Sequence, residues 1–152
     1  MKNPIKFLSL FPLIILLISG FTVHGVTLGK STFSEVTQKY AGGQEIPTTP
    51  QPDPWVEALG VKKIYTSADQ RLQFWFNAAQ VLVGVVETPK TELTKSDILA
   101  QYPGIKFEAD ISGSLCLNAE VSLAPGIFKC IKLAPDGDRV LAITISRLPS
   151  QP

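Results

Sequence analysis

A pattern that occurs twice, 62 residues apart, constrains this chain more than any other feature of it. The first copy is Thr32-x-x-Glu35-Val36-x-x-x-Tyr40-x-Gly42, and the second is Thr94-x-x-Asp97-Ile98-x-x-x-Tyr102-x-Gly104. In each copy the threonine can cap a helix. The acid three residues on can return a hydrogen bond to that cap and favour the helix dipole. The aliphatic residue and the tyrosine lie four apart on one helix face and can pack inward. The glycine accepts a left-handed stop, which Pro103 reinforces in the second copy.

A pair of strands follows each helix. Leu72 to Phe76 alternates, Asn77-Ala78-Ala79-Gln80 turns, and Val81 to Val86 returns. In the second half Ile127 to Leu133 precedes Pro135-Asp136-Gly137-Asp138 and then Val140 to Ile145, and an Asp-Gly turn between apolar runs is a strong hairpin signal. Lys62 to Thr66 and Ser114 to Val121 add one strand to each half. These segments predict an α+β fold of two tandem helix plus three-stranded antiparallel sheet units, residues 27–89 and 91–149, within one domain at 26–152.

The first half alone carries the stretch from Ala41 to Pro54, with Gly42, Gly43, Pro47, Pro50, Pro52 and Pro54. It reads as an extended surface loop without helical or strand period. It ends where Asp53 can cap a short helix with Pro54 in its first position and Gly60 as its stop.

The N-terminus predicts export. Lys2 and Lys6 precede an apolar run from Phe7 to Phe21, interrupted by Ser9, Pro12, Ser19 and Gly20, which is the pattern of a cleavable secretory signal over residues 1–25. The run is shorter than the roughly 20 residues of a membrane span, and an uncleaved anchor is the alternative. Val23-His24-Gly25 suits cleavage after Gly25, with cleavage after Gly20 the second choice, and no cysteine is near either bond for lipid attachment. A periplasmic or secreted chain is expected, with no membrane span after cleavage.

Removing residues 1–25 leaves 12 Lys and Arg against 13 Asp and Glu, a net charge of −1 without a basic cluster, which argues against nucleic-acid binding. Cleavage after Gly25 would also remove the only histidine, His24. Histidine-dependent nucleophile systems and imidazole metal ligands go with it, so no catalytic residue, cofactor or metal site is expected. Cys116 and Cys130 are fourteen apart, against the ~2–4 residue spacing of a zinc knuckle. In an oxidising compartment they are expected to form a disulfide; redox use of free thiols would want C-x-x-C spacing. A tight turn at Pro125-Gly126 would set Cys130 opposite Val121. A wider loop, about Val121 to Pro125, would set the cysteines opposite each other and is the favoured register.

Gly29-Lys30-Ser31-Thr32 before Val36, together with Phe76-x-x-x-x-Val81-Leu82-x-x-Val85, resembles the BamE-like envelope proteins, related in shape to the tandem-repeat beta-lactamase inhibitor proteins. The resemblance covers most of 27–89 and, more weakly, 91–146. It implies a non-enzymatic binding module of the bacterial envelope, with an envelope protein as partner. The chain departs from the assembly lipoproteins of that family in lacking a lipidated cysteine and in carrying two units.

Trp55 and Trp75 are the candidate partner-binding residues, because tryptophan dominates interface hot spots. Trp75 is either displayed on the face opposite Leu72, Phe74 and Phe76 or covers that face beside Leu82 or Val86. Trp55 is better explained as packed under the proline-rich loop than as displayed. Gly25-x-x-x-Gly29-Lys30-Ser31 is one residue short of a phosphate loop between its glycines and reads as the approach to the helix cap. The expected function is therefore protein binding through a sheet face or the proline-rich loop. A small-ligand or lipid carrier is the alternative, with Phe74, Trp75 and Phe76 around an enclosed pocket. A hydrolase would need Glu108 and Asp110 to converge in a cleft.

Overall fold

The computed structural model describes residues 20–49, 53–104, 106–109, 113–117 and 124–148. β1 (Thr22–Val23) and β2 (Val26–Thr27) form a small hairpin. Eight further strands build one antiparallel sheet: β3 (Gln44–Ile46), β4 (Lys63–Thr66), β5 (Leu72–Phe76), β6 (Leu82–Glu87), β7 (Phe107–Ala109), β8 (Leu115–Leu117), β9 (Ile127–Leu133) and β10 (Val140–Arg147). Among the described residues three helices accompany them: α1 (Phe33–Lys39), α2 (Pro54–Ala58) and α3 (Lys95–Ala100).

The sheet order is β3-β4-β5-β6-β10-β9-β8-β7, so two four-stranded meanders meet at the β6–β10 pair. This corrects the expected α+β fold of two tandem helix plus three-stranded units. The protein is mostly one large antiparallel sheet, the described residues being 16% helical and 41% strand. Two causes account for the difference. The helices end after seven, five and six residues, too short to form a layer of their own. The inner edges of both meanders pair directly, Val85 opposite Ile145 and Val86 opposite Thr144, which fuses what the sequence presents as separate sheets.

The caps form as their residue types dictate. Glu35 N–H donates to Thr32 Oγ1 at 3.3 Å while Thr32 N–H donates to Glu35 Oε2 at 2.7 Å. Thr94 and Asp97 repeat the exchange at 3.2 and 2.8 Å. The bonds from the Thr94 amide and hydroxyl hold the Asp97 carboxyl below the usual carboxylate range. At α2, Trp55 N–H donates to Asp53 Oδ1 at 2.9 Å, with Pro54 in the first turn. The Asp136-Gly137 turn joins β9 to β10. There Asp136 Oδ1 accepts from the Asp138 and Arg139 amides at 3.0 and 3.1 Å, which lowers its pKa.

The stretch read as a loop at Ala41–Pro54 contains a strand. β3 pairs with β4 through Gln44↔Thr66, Glu45↔Tyr65 and Ile46↔Ile64. A Cβ at Gly43 would collide with the Thr66 carbonyl, so glycine is what lets the chain enter this register. Pro50, Gln51 and Pro52 lie outside the described residues.

Direct cross-strand pairing sorts the side chains into two faces. On one face, Tyr65, Phe74, Val85 and Ile145 stand in one row across β4, β5, β6 and β10. α1 covers this row: Val36, fully buried, joins Phe74, Phe76 and Leu82 in the main core, with Phe33 and Tyr40 against it. α3 packs on the same face further along, where Ile98 meets Ile131 and Val140. The other face is covered by α2, whose Val56 and following Leu59 pack on Ile64 and Trp75.

Cys116 and Cys130 are disulfide-bonded and directly opposite each other on β8 and β9, with Cα atoms 4.0 Å apart. The tight turn at Pro125-Gly126 also forms, Ile127 N–H donating to the Ala124 carbonyl at 2.9 Å. The cysteines thus face each other, as the favoured register requires, and Val121 lies outside the described residues.

The bond closes a loop of sequence separation 14. Replacing both cysteines by serine should lower stability by about 3 kcal/mol. A urea titration should show this as a lower midpoint, with an m-value equal or higher because the unfolded chain is freed to expand.

Candidate functional site

The sheet's second face is divided. Over β4 and β5 it is closed by α2. Over β9 and β10 it carries no helix among the described residues. The row Val86, Thr144, Cys130, Cys116, Glu108 runs across the open part by direct pairing from β6 to β7. The neighbouring row is Trp75, Gly84, Ser146, Phe128. Ala142 and Lys132 pair on this face as well.

Exposure grades along this surface. Lys132 and Glu108 are exposed, and Phe128, Thr144 and Ala142 are half-buried. Cys130 and Ser146 are buried. An apolar floor thus carries a hydroxyl at its centre, with a cation and an anion towards the rim. Such a surface suits van der Waals and hydrogen-bonded contact with another chain.

At its border, α2 forms a step. Val83 and Val86 are partly buried against the α2 cluster together with Trp55 and Ile46. An open recess of ≈ 250 Å³ lies at this step, lined by Gly29, Leu59, Val83, Arg147 and Leu148 among others. Leu148 is one of two exposed large hydrophobic residues among the described residues, the other being Leu141 beside the irregularity in β10. A second open recess, ≈ 450 Å³, lies on the proline-rich side between Thr48, Asp53, Glu57 and Lys62.

Trp75 is 2% exposed. Its ring covers Gly84, where a Cβ would stand 3.1 Å from the indole Cε3, a tight contact that glycine avoids. It lies beside Val86 but not Leu82, which faces the α1 core. The indole therefore serves as packing for α2 and offers no surface to a partner. Trp55 is half-buried on the flank of the same cluster.

Phe74 and Phe76 are fully buried on the α1 face, while Trp75 points to the other. Alternation along β5 thus separates the three aromatic rings that a carrier pocket would need together. Glu108 sits exposed on the edge strand β7, opposite Cys116, and Asp110 lies outside the described residues. Among the described residues no group of three or more His, Cys, Asp and Glu side chains could hold a metal ion, and no helix is long and apolar enough to cross a membrane.

Sequence reasoning missed Phe128, Thr144, Ala142 and the step at Val83. The signal was present as small and polar residues at alternate positions of β10, Ala142-x-Thr144-x-Ser146, which is the composition of a face without a helix over it. No protein-family model, characterised protein or solved structure matches the chain.

Trp75→Ala should cost about 3–5 kcal/mol of stability, as for a large aromatic side chain removed from a core. Phe128→Ala should cost about 1 kcal/mol, a fraction of what full burial of its ring is worth. Urea unfolding of the two variants side by side measures the contrast.

Proposed function

We propose that the protein is a non-catalytic interaction module of the bacterial envelope, periplasmic or secreted, and that it engages a protein partner through the open sheet face of β9 and β10. The observation that carries this reading is the unequal covering of the second face. α2 and Trp75 close one half, whereas the described helices leave Phe128, Thr144 and Ala142 half-buried in the other. An apolar sheet face rimmed by charges is what a partner can cover with gain.

The location rests on two supports. The N-terminal sequence has a basic segment followed by a short apolar run. The Cys116–Cys130 bond is of a kind that persists in oxidising compartments. The proline-rich stretch borders the opposite side of α2 and is the second surface to consider. Its strand β3 is an edge of the sheet, so deletion across 43–52 would damage the fold as well as the surface.

The test is affinity capture from the host envelope with the tagged chain, after mild cross-linking. Phe128→Ser combined with Thr144→Lys should weaken retention of a specific protein by at least about tenfold, ~1.4 kcal/mol of binding. Lys90→Ala, on another part of the surface, should retain it. Equal retention by both variants, each shown to be folded by circular dichroism, would refute binding through this face. A wild type that carries only a small molecule would refute the interaction reading.

A further inference from the structure

We propose that the chain is processed between Gly20 and Phe21, so that Phe21–Gly25 remain part of the working protein; this rests on the export reading above. The sequence motif alone does not choose. A β-branched aliphatic residue stands at −3 and glycine at −1 for both bonds, Ile18 and Gly20 for one, Val23 and Gly25 for the other. The fold does choose, because residues 21–25 are built into it.

Thr22 and Val23 are strand β1, paired with Thr27 and Val26. His24 and Gly25 form the turn between the strands with φ of 49° and 71°, the two left-handed residues of a tight two-residue hairpin. The threonine hydroxyls of positions 22 and 27 are hydrogen-bonded at 3.0 Å, and Leu28 N–H donates to the Phe21 carbonyl at 2.9 Å.

The hairpin is also fastened to the main sheet. The Tyr40 hydroxyl donates to the His24 carbonyl at 2.6 Å, and Tyr65 in turn donates to the Tyr40 carbonyl at 2.8 Å. His24 Nε2 lies 2.8 Å from Glu87 Oε2 on the central strand β6. Phe21 and Val23 pack against the core that holds Val26, Leu28, Val36 and Phe74.

Cleavage after Gly25 would remove one strand, its turn, two core-facing apolar side chains and every bond that residues 21–25 make. It would also leave Val26 and Leu28, now 3% and 0% exposed, without part of their cover. Cleavage after Gly20 breaks none of these bonds. A second consequence follows for the chemistry: the processed protein keeps His24, its only imidazole, engaged with Glu87.

The experiment is to express the full chain in an exporting host and determine the N-terminus of the exported product by intact mass and N-terminal sequencing. A product beginning at Phe21 is expected. Gly20→Leu, which places a bulky side chain at −1, should reduce that product severalfold, and Gly25→Asn, which tolerates the left-handed turn, should leave it unchanged. A product beginning at Val26, or indifference to Gly20→Leu, overturns the site while leaving export intact. A chain that keeps Met1 overturns the export reading together with the site.

Discussion

The pairing of β6 with β10 is the interaction on which the rest of this structure depends. Glu87, Val86, Val85 and Gly84 stand opposite Ile143, Thr144, Ile145 and Ser146. Without that pairing each meander would end in an unpaired inner edge, with a row of free amides and carbonyls. With it, the edges of the eight-stranded sheet among the described residues are the three-residue strands β3 and β7. Short edge strands present few groups to a wrong partner, which is one way natural sheets avoid edge-to-edge association.

The join also merges the cores. Ile145 reaches the cluster under α1, and Ile143, two residues before it on the same face, packs with Ile131 and Val140 under α3. The two parts are unequal in content. The first is filled by Phe74, Phe76, Tyr65 and Leu82, and ring contacts from Phe33 and Tyr40 reinforce it. The described buried cluster of the second is aliphatic, and there the Cys116–Cys130 bond ties β8 to β9. α2 has no counterpart among the described helices of the second half. That difference makes one half of the second face core and leaves the other half available.

Local features of the fold were legible in the sequence because they are written in adjacent residues. Thr32 with Glu35, Thr94 with Asp97, and Asp53 with Pro54 specify helix starts by hydrogen bonds within three positions. Asp136-Gly137 specifies a turn in the same way. The strand β3 was hidden because Gln44-Glu45-Ile46 is too short to display an alternating period, and the equally short β7 shows in the sequence only as the alternation of Glu108 with Asp110. The β6–β10 join was hidden because no local residue type encodes which edges meet. Trp75 illustrates the limit for the candidate site: alternation assigned its face, but only the position of α2 decided that this face is buried there.

Residue-resolved hydrogen exchange of the native protein tests the single continuous sheet most directly. In an antiparallel pair alternate amides point to each neighbour, so a strand inside a sheet is protected at successive positions and an edge strand at every second one. The account predicts slow exchange at successive amides through 84–87 of β6 and 143–146 of β10. Fast exchange at alternate positions in both segments would show two separate sheets and contradict it.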